Sequence, residues 1–153
     1  MKLIKPRFWD TKNFLSFILY PLSAITYLIN IIKKLSNKKK FEIKTICIGN
    51  IFVGGTGKTS LAIEINQLLK KKFKTVFIKK NYENQLDEIN LLSNKGNIIS
   101  ASSRESALLS AVNKKYQLAI LDDGLQQKNI NYDLKIACFN SEYTIGNEFM
   151  LPA

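Results

Sequence analysis

One stretch constrains this chain more than any other. Between residues 43 and 60 an apolar run breaks into glycines and then meets a lysine–threonine pair. Ile43, Ile46, Cys47 and Ile48 read as a buried strand, and Gly54, Gly55, Thr56 and Gly57 form the break. Lys58, Thr59 and Ser60 then open an amphipathic segment. Glycines in such a loop let backbone N–H groups turn inward around an anion, and the helix N-terminus adds a favourable dipole. A lysine at the helix head reaches outer phosphates, and a threonine hydroxyl suits a hard cation such as Mg2+. The strict spacing G-x-x-x-x-G-K-[ST] would place its first glycine at Phe52, so the loop rests on the 54–57 cluster instead. A glycine-rich turn with no ligand is the plainer alternative. The flanking strand and helix favour a phosphate loop, hence a nucleoside triphosphate.

The rest of the chain alternates in a way that suits this loop. Residues 60–72 set Leu61, Ile65, Leu68 and Leu69 on one stripe of a helix. Residues 74–78 read as a strand, 79–85 as a polar loop, and 89–92 as a short helical run opened by Asp87 and Glu88. A strand over 97–100, a helix over 103–114 capped by Ser102 or Ser103, and strands over 118–121 and 134–139 complete the pattern. Alternating strands and helices predict an α/β fold, a mostly parallel P-loop NTPase-like sheet flanked by helices.

Two acidic pairs fall where chemistry would need them. Asp122 and Asp123 follow the aliphatic strand at 118–121, where a parallel sheet opens its ligand crevice. An acid there can hold Mg2+ directly or through water. The competing reading is an acidic turn in which Gly124 supplies a positive φ. Asp87 and Glu88 could place a carboxylate near the outer phosphate, or simply cap a helix dipole.

Charge divides the chain at about residue 40. Residues 1–40 carry nine Lys/Arg against one acid, a net of +8, and residues 41–153 carry fourteen against eleven, a net of +3. The basic residues flank the apolar run 14–32 instead of interleaving with aromatics over a folded face, which argues against nucleic acid as a partner. The pattern predicts a membrane-associated arm over 1–40 and a nucleotide-binding domain over 41–153. Pro21, Ser16, Ser23, Thr26 and Asn30 dilute the run as a spanning helix, while Trp9, Tyr20, Tyr27 and the lysine flanks suit an interfacial one. A helix packed on the domain or on a partner is the third possibility. With no histidine in 153 residues, a zinc site of the usual type and a histidine base are both excluded within this chain. Cys47 and Cys138 lie in apolar runs and read as buried reduced thiols of a cytosolic protein.

The chain resembles the lipid A 4′-kinase (tetraacyldisaccharide 4′-kinase) family through almost its whole length. Pro21-Leu22-Ser23 with Tyr27 is similar to that family's N-terminal segment, and Ile48-Gly49-Asn50 with Gly54-Gly55-Thr56-Gly57-Lys58-Thr59 to its unorthodox loop. Leu86-Asp87-Glu88, Arg104, Asp122-Asp123-Gly124-Leu125-Gln126, Asp133, and Gly146-Asn147 with Leu151-Pro152-Ala153 follow in the family's order. Lys79-Lys80-Asn81-Tyr82-Glu83 stands where the family has Ser-Arg-Gly-Tyr-Gly, Gln127 where it has histidine, and Tyr132 where it has arginine.

The resemblance implies transfer of the γ-phosphoryl group of ATP to the 4′-hydroxyl of a tetraacyldisaccharide 1-phosphate, at the cytoplasmic face of a bacterial inner membrane. It implies nucleotide contacts from residues 54–60, Mg2+ on Thr59, Asp122, Asp123 and Glu88, and catalytic roles for Lys58, Asp122 and Asp87. It also implies a second half beyond Ala153, with a histidine that assists the aspartate. The chain is then expected to be an N-terminal piece, a product needing a second polypeptide, or an inactive remnant. A membrane-bound nucleotide switch and a non-catalytic membrane-binding fragment are the alternatives from other classes.

Overall fold

The computed structural model describes residues 14–34, 38–50, 57–81, 86–125, 127 and 129–139. The chain divides into two compact units. One contains α1 (Phe14–Lys34), a 21-residue helix with Pro21 inside it. Among the described residues no helix is long and apolar enough to cross a membrane. Phe14, Phe17, Ile18, Ile25 and Leu28 are all exposed on it.

The other unit, Lys38–Asn50 and Gly55–Cys138, holds a five-stranded sheet. Its elements in order are β1 (Lys44–Asn50), α2 (Lys58–Leu69), β2 (Thr75–Lys80), α3 (Leu86–Ser93), β3 (Ile98–Ala101), α4 (Arg104–Asn113), β4 (Leu118–Asp122) and β5 (Leu134–Cys138). The sheet order is β3-β2-β4-β1-β5 and every pairing is parallel. Covered on both faces, the central strands are nearly continuous apolar runs, as parallel strands should be.

Alternation along each strand sorts the core into two layers. Cys47, Val76, Ile78, Ala119 and Leu121 pack with Ala107, Leu108 and Ala111 of α4. Ile46, Ile48, Phe77, Leu118 and Ile120 pack with Ala62 and Ile63 of α2 and Leu92 of α3. Phe77 is fully buried, a contribution of about 2–3 kcal/mol from its apolar area. The helix α4 begins as its sequence predicts, with the Ser103 hydroxyl accepting from the Ser106 N–H.

Two expectations shift. The buried face of α2 is Ala62, Ile63 and Asn66, and Leu68 is 73% exposed instead of belonging to the stripe. Buried Asn66 decides this rotation: its Oδ1 accepts from the Thr75 hydroxyl at 2.6 Å and its Nδ2 donates to the Lys95 carbonyl at 3.3 Å. Residues 79 and 80, expected in a loop, instead extend β2 by two residues and pair with Ser100 and Ala101.

Asp133 ties the entry to β5 onto β1. Its Oδ2 accepts from both the Thr45 N–H (2.8 Å) and the Thr45 hydroxyl (2.9 Å). Burial acts to raise its pKa, but the Thr45 bonds and the nearby Lys40 outweigh that and hold the carboxyl below its usual range. A lowered folded pKa gives stability that is present above the unfolded value and lost as pH falls through the folded one. Asp133→Ala is expected to cost about 1 kcal/mol near neutral pH, discounted for its exposure. In thermal melts at a series of pH values, the gap to the unaltered chain should close in acid. A pH-independent gap would contradict the assignment.

Candidate functional site

The site lies at the carboxyl edge of the sheet, where β1, β2 and β4 end side by side. Register brings the ends together: Ile48 of β1 is level with Asp122, and Ile78 of β2 with Leu121. Polar side chains from the carboxyl ends of these strands and from the helices that follow them gather there.

Lys58 and Thr59 form the first turn of α2, after Gly57 at φ 73° in the left-handed region. Among the described residues nothing lies within 4 Å of where a Gly57 Cβ would sit, and its φ is what calls for glycine. The Lys58 ammonium donates to Asn50 Oδ1 at 2.9 Å and to Asp123 Oδ1 at 3.0 Å. The Thr59 hydroxyl donates to Asp122 Oδ2 at 3.2 Å. Asp122, the last residue of β4, is 1% exposed.

The turn after β4 is not the acidic turn with a positive-φ Gly124 of the competing reading. Positive φ belongs to Asp123, at 59°, and not to Gly124. Aspartate tolerates this region better than most side chains. Gly124 is needed for room: a Cβ there would meet Cys47 Sγ at 2.7 Å. The Gly124 carbonyl also accepts from the Tyr132 hydroxyl at 3.2 Å. Burial pushes the Cys47 thiol up to about 11 and raises Tyr132 as well, so both stay neutral under this edge. Cys138 is half-buried, with its thiol likewise raised by burial, and both cysteines are free.

Arg104, 7% exposed at the start of α4, fixes the same turn from behind. It donates to the Asp123 carbonyl at 2.6 Å and to Gln127 Oε1 at 3.4 Å. Lys79, at the end of β2, is the residue that sequence reasoning missed. Its side chain is 2% exposed, and its ammonium donates to Asp122 Oδ2 at 3.2 Å and to Glu88 Oε2.

Of the expected site residues, Lys58, Thr59, Asp122, Asp123 and Glu88 converge at this edge. Asp87 is exposed in the first turn of α3, one residue before Glu88. Ser60 is exposed on α2. Gly54, Gly55 and Thr56 lie outside the described residues.

Among the described residues no group of three or more His, Cys, Asp or Glu could cage a metal by itself. Magnesium does not need one, since it binds through one or two carboxylates together with phosphates and water. Among the described residues Asp122 Oδ1 is buried with no hydrogen-bond partner, an unclaimed acceptor beside the Thr59 hydroxyl. That donor set fits a hard divalent cation.

Fold and site together define a parallel α/β protein with a helix N-terminus, a lysine and a buried aspartate at the carboxyl edge of its sheet. The family model described as tetraacyldisaccharide-1-P 4′-kinase matches residues 15–99 and 81–153, and the chain belongs to that family. It is 50% identical over 159 aligned positions to the tetraacyldisaccharide 4′-kinase of Pelagibacter ubique, covering all of this chain and 50% of that one. The Rickettsia canadensis tetraacyldisaccharide 4′-kinase is 30% identical over 171 positions, with 52% of its length covered. The chain thus spans about half the length of the curated relatives it matches. A crystal structure of the "apo" form of LpxK from Aquifex aeolicus in complex with ATP shares the fold. Its TM-score is 0.69 at 24% identity, over 87% of this chain and 53% of that one.

Removing the Lys58 ammonium should weaken the binding of any triphosphate at this edge. The loss of a charge-assisted contact of about 1.5–3 kcal/mol corresponds to roughly 10- to 150-fold in Kd. Titration of Lys58→Ala with a fluorescent ATP analogue tests this, and an unchanged Kd would remove Lys58 from the site.

Proposed function

We propose that this chain supplies the nucleotide side of a lipid A 4′-kinase, which moves the γ-phosphoryl group of ATP to the 4′-hydroxyl of a tetraacyldisaccharide 1-phosphate. The observation that carries the reading is the convergence of Lys58 and Thr59 on Asp122 and Asp123 at one sheet edge. Family membership gives that convergence its substrate.

Phosphoryl transfer needs alignment and charge neutralisation more than covalent help from the protein. The N-terminus of α2 offers unpaired N–H groups and a positive dipole end to the triphosphate. The Lys58 ammonium, held at rest by Asn50 and Asp123, is the cation for the outer phosphates. Mg2+, when bound, would be held by Thr59 and Asp122, with Asp123 and Glu88 alongside, and would offset charge on the phosphate oxygens. Asp87, exposed near the site's rim, is the carboxylate that takes the acceptor hydroxyl proton. The 4′-oxygen then bonds to phosphorus while the bond from phosphorus to the bridging oxygen breaks, and ADP leaves with that electron pair. The relatives' second half would complete the acceptor side.

A substrate with four acyl chains is met at a bilayer surface. The exposed Phe14, Phe17, Ile18, Ile25 and Leu28 of α1, flanked by lysines, support association with the cytoplasmic face of the inner membrane. The expected partners are therefore the lipid disaccharide, the membrane surface and the complementary half.

A chimera joining residues 1–153 to the remaining half of the Pelagibacter ubique relative tests the reading with radiolabelled ATP. Transfer of label to the disaccharide lipid is expected. Asp87→Asn should lower it by about 10²- to 10⁴-fold with ATP affinity unchanged. A folded chimera that binds ATP but transfers no label would contradict the proposal.

A further inference from the structure

Lys79 is the buried charge that the proposed reaction does not use. A lysine normally keeps its ammonium in water and buries only its stem. Here the whole side chain is 2% exposed, and the ammonium lies between Asp122 and Glu88. Those are two of the carboxylates that the proposed function assigns to the divalent cation. Asp122 Oδ2 already accepts from Thr59, a further member of the same set, so the lysine sits directly on the metal's ligands.

We propose that Lys79 is a built-in competitor for the divalent cation, holding Asp122 and Glu88 in the metal-free protein and setting the affinity with which the site takes Mg2+ or Mn2+. The inference rests on the reading that Thr59 and Asp122 hold the metal.

Charge and geometry both point this way. One ammonium offsets only one of the two carboxylates, and Asp122 Oδ1 remains buried without a partner among the described residues. The cluster of Lys79, Asp122 and Glu88 therefore keeps a net negative charge in the metal-free protein. A dication arriving at Asp122 meets the ammonium as a like charge at close range in a poorly solvated place, where repulsion is strong. Both cannot share Asp122 Oδ2 at full strength. Glu88, whose side chain is 49% exposed, is the arm that can turn outward and release the lysine. An ion pair kept only for folding would behave differently: removing it would lower stability without improving metal affinity.

Manganese binding to the full 153-residue chain, read from the free-ion electron paramagnetic resonance signal, tests this in the unaltered protein and in Lys79→Ser, Lys79→Gln, Lys79→Arg and Asp122→Asn. Lys79→Ser and Lys79→Gln should bind roughly tenfold tighter or better, and Lys79→Arg, which keeps the charge, should stay near the unaltered chain. Affinity that is unchanged or weaker in folded Lys79→Ser and Lys79→Gln overturns the inference. If Asp122→Asn meanwhile loses the metal, the metal reading survives that failure. If Asp122→Asn binds like the unaltered chain, or no form binds at all, both fall. Should the neutral variants fail to fold, lysine-selective labelling of the unaltered chain decides. Saturating Mn2+ is expected to expose Lys79 to reagent, and unchanged protection overturns the proposal.

Discussion

Asp122 is the constraint around which the site is arranged. A carboxylate that is 1% exposed cannot persist without partners, because removing its hydration costs several kcal/mol. One oxygen is met by Thr59 from α2 and Lys79 from β2. That single oxygen thereby links α2, β2 and β4. The other oxygen has no partner among the described residues, and it stands open to a cation.

The parallel register makes such an arrangement possible. Because β1, β2 and β4 run the same way in register, side chains at their carboxyl ends meet at a common edge. The layers beneath are made rigid by apolar alternation, with α4 on one face and α2 and α3 on the other. Close packing then extends to the edge itself. Gly49 has no room for a Cβ beside Leu125, and Gly124 has none beside Cys47, so the turn bearing Asp122 and Asp123 is held from below. Arg104 holds it from behind through the Asp123 carbonyl. A site for phosphoryl transfer gains from such fixity, since positioning supplies much of the rate.

Much of this was legible in the sequence because buried parallel strands announce themselves as short apolar runs. The runs ending at Ile48, Ile78 and Leu121 each mark a strand, and Lys58, Thr59 and Asp122 stand where those runs give way. What was not legible depends on distant partners. Lys79 looks like the first residue of a polar loop, and only Glu88 and Asp122, the latter 43 residues away, make it a buried strand residue. Asn66 similarly looks like surface until Thr75 and Lys95 claim it, and its burial turns Leu68 outward. Gly124 is required for its size, which depends on Cys47 far earlier in the chain, and not for its φ. In each case local pattern was overruled by a contact that pairs residues across the fold.

The account stands or falls on whether triphosphate and metal meet at the Asp122 edge. Anomalous diffraction from crystals of the chain with Mn2+ and a non-hydrolysable ATP analogue addresses this directly. The account predicts a manganese peak against Asp122 and Thr59, with the triphosphate along the N-terminus of α2 and the Lys58 ammonium turned from Asp123 onto it. A triphosphate bound elsewhere, or a manganese ion away from Asp122, would contradict it.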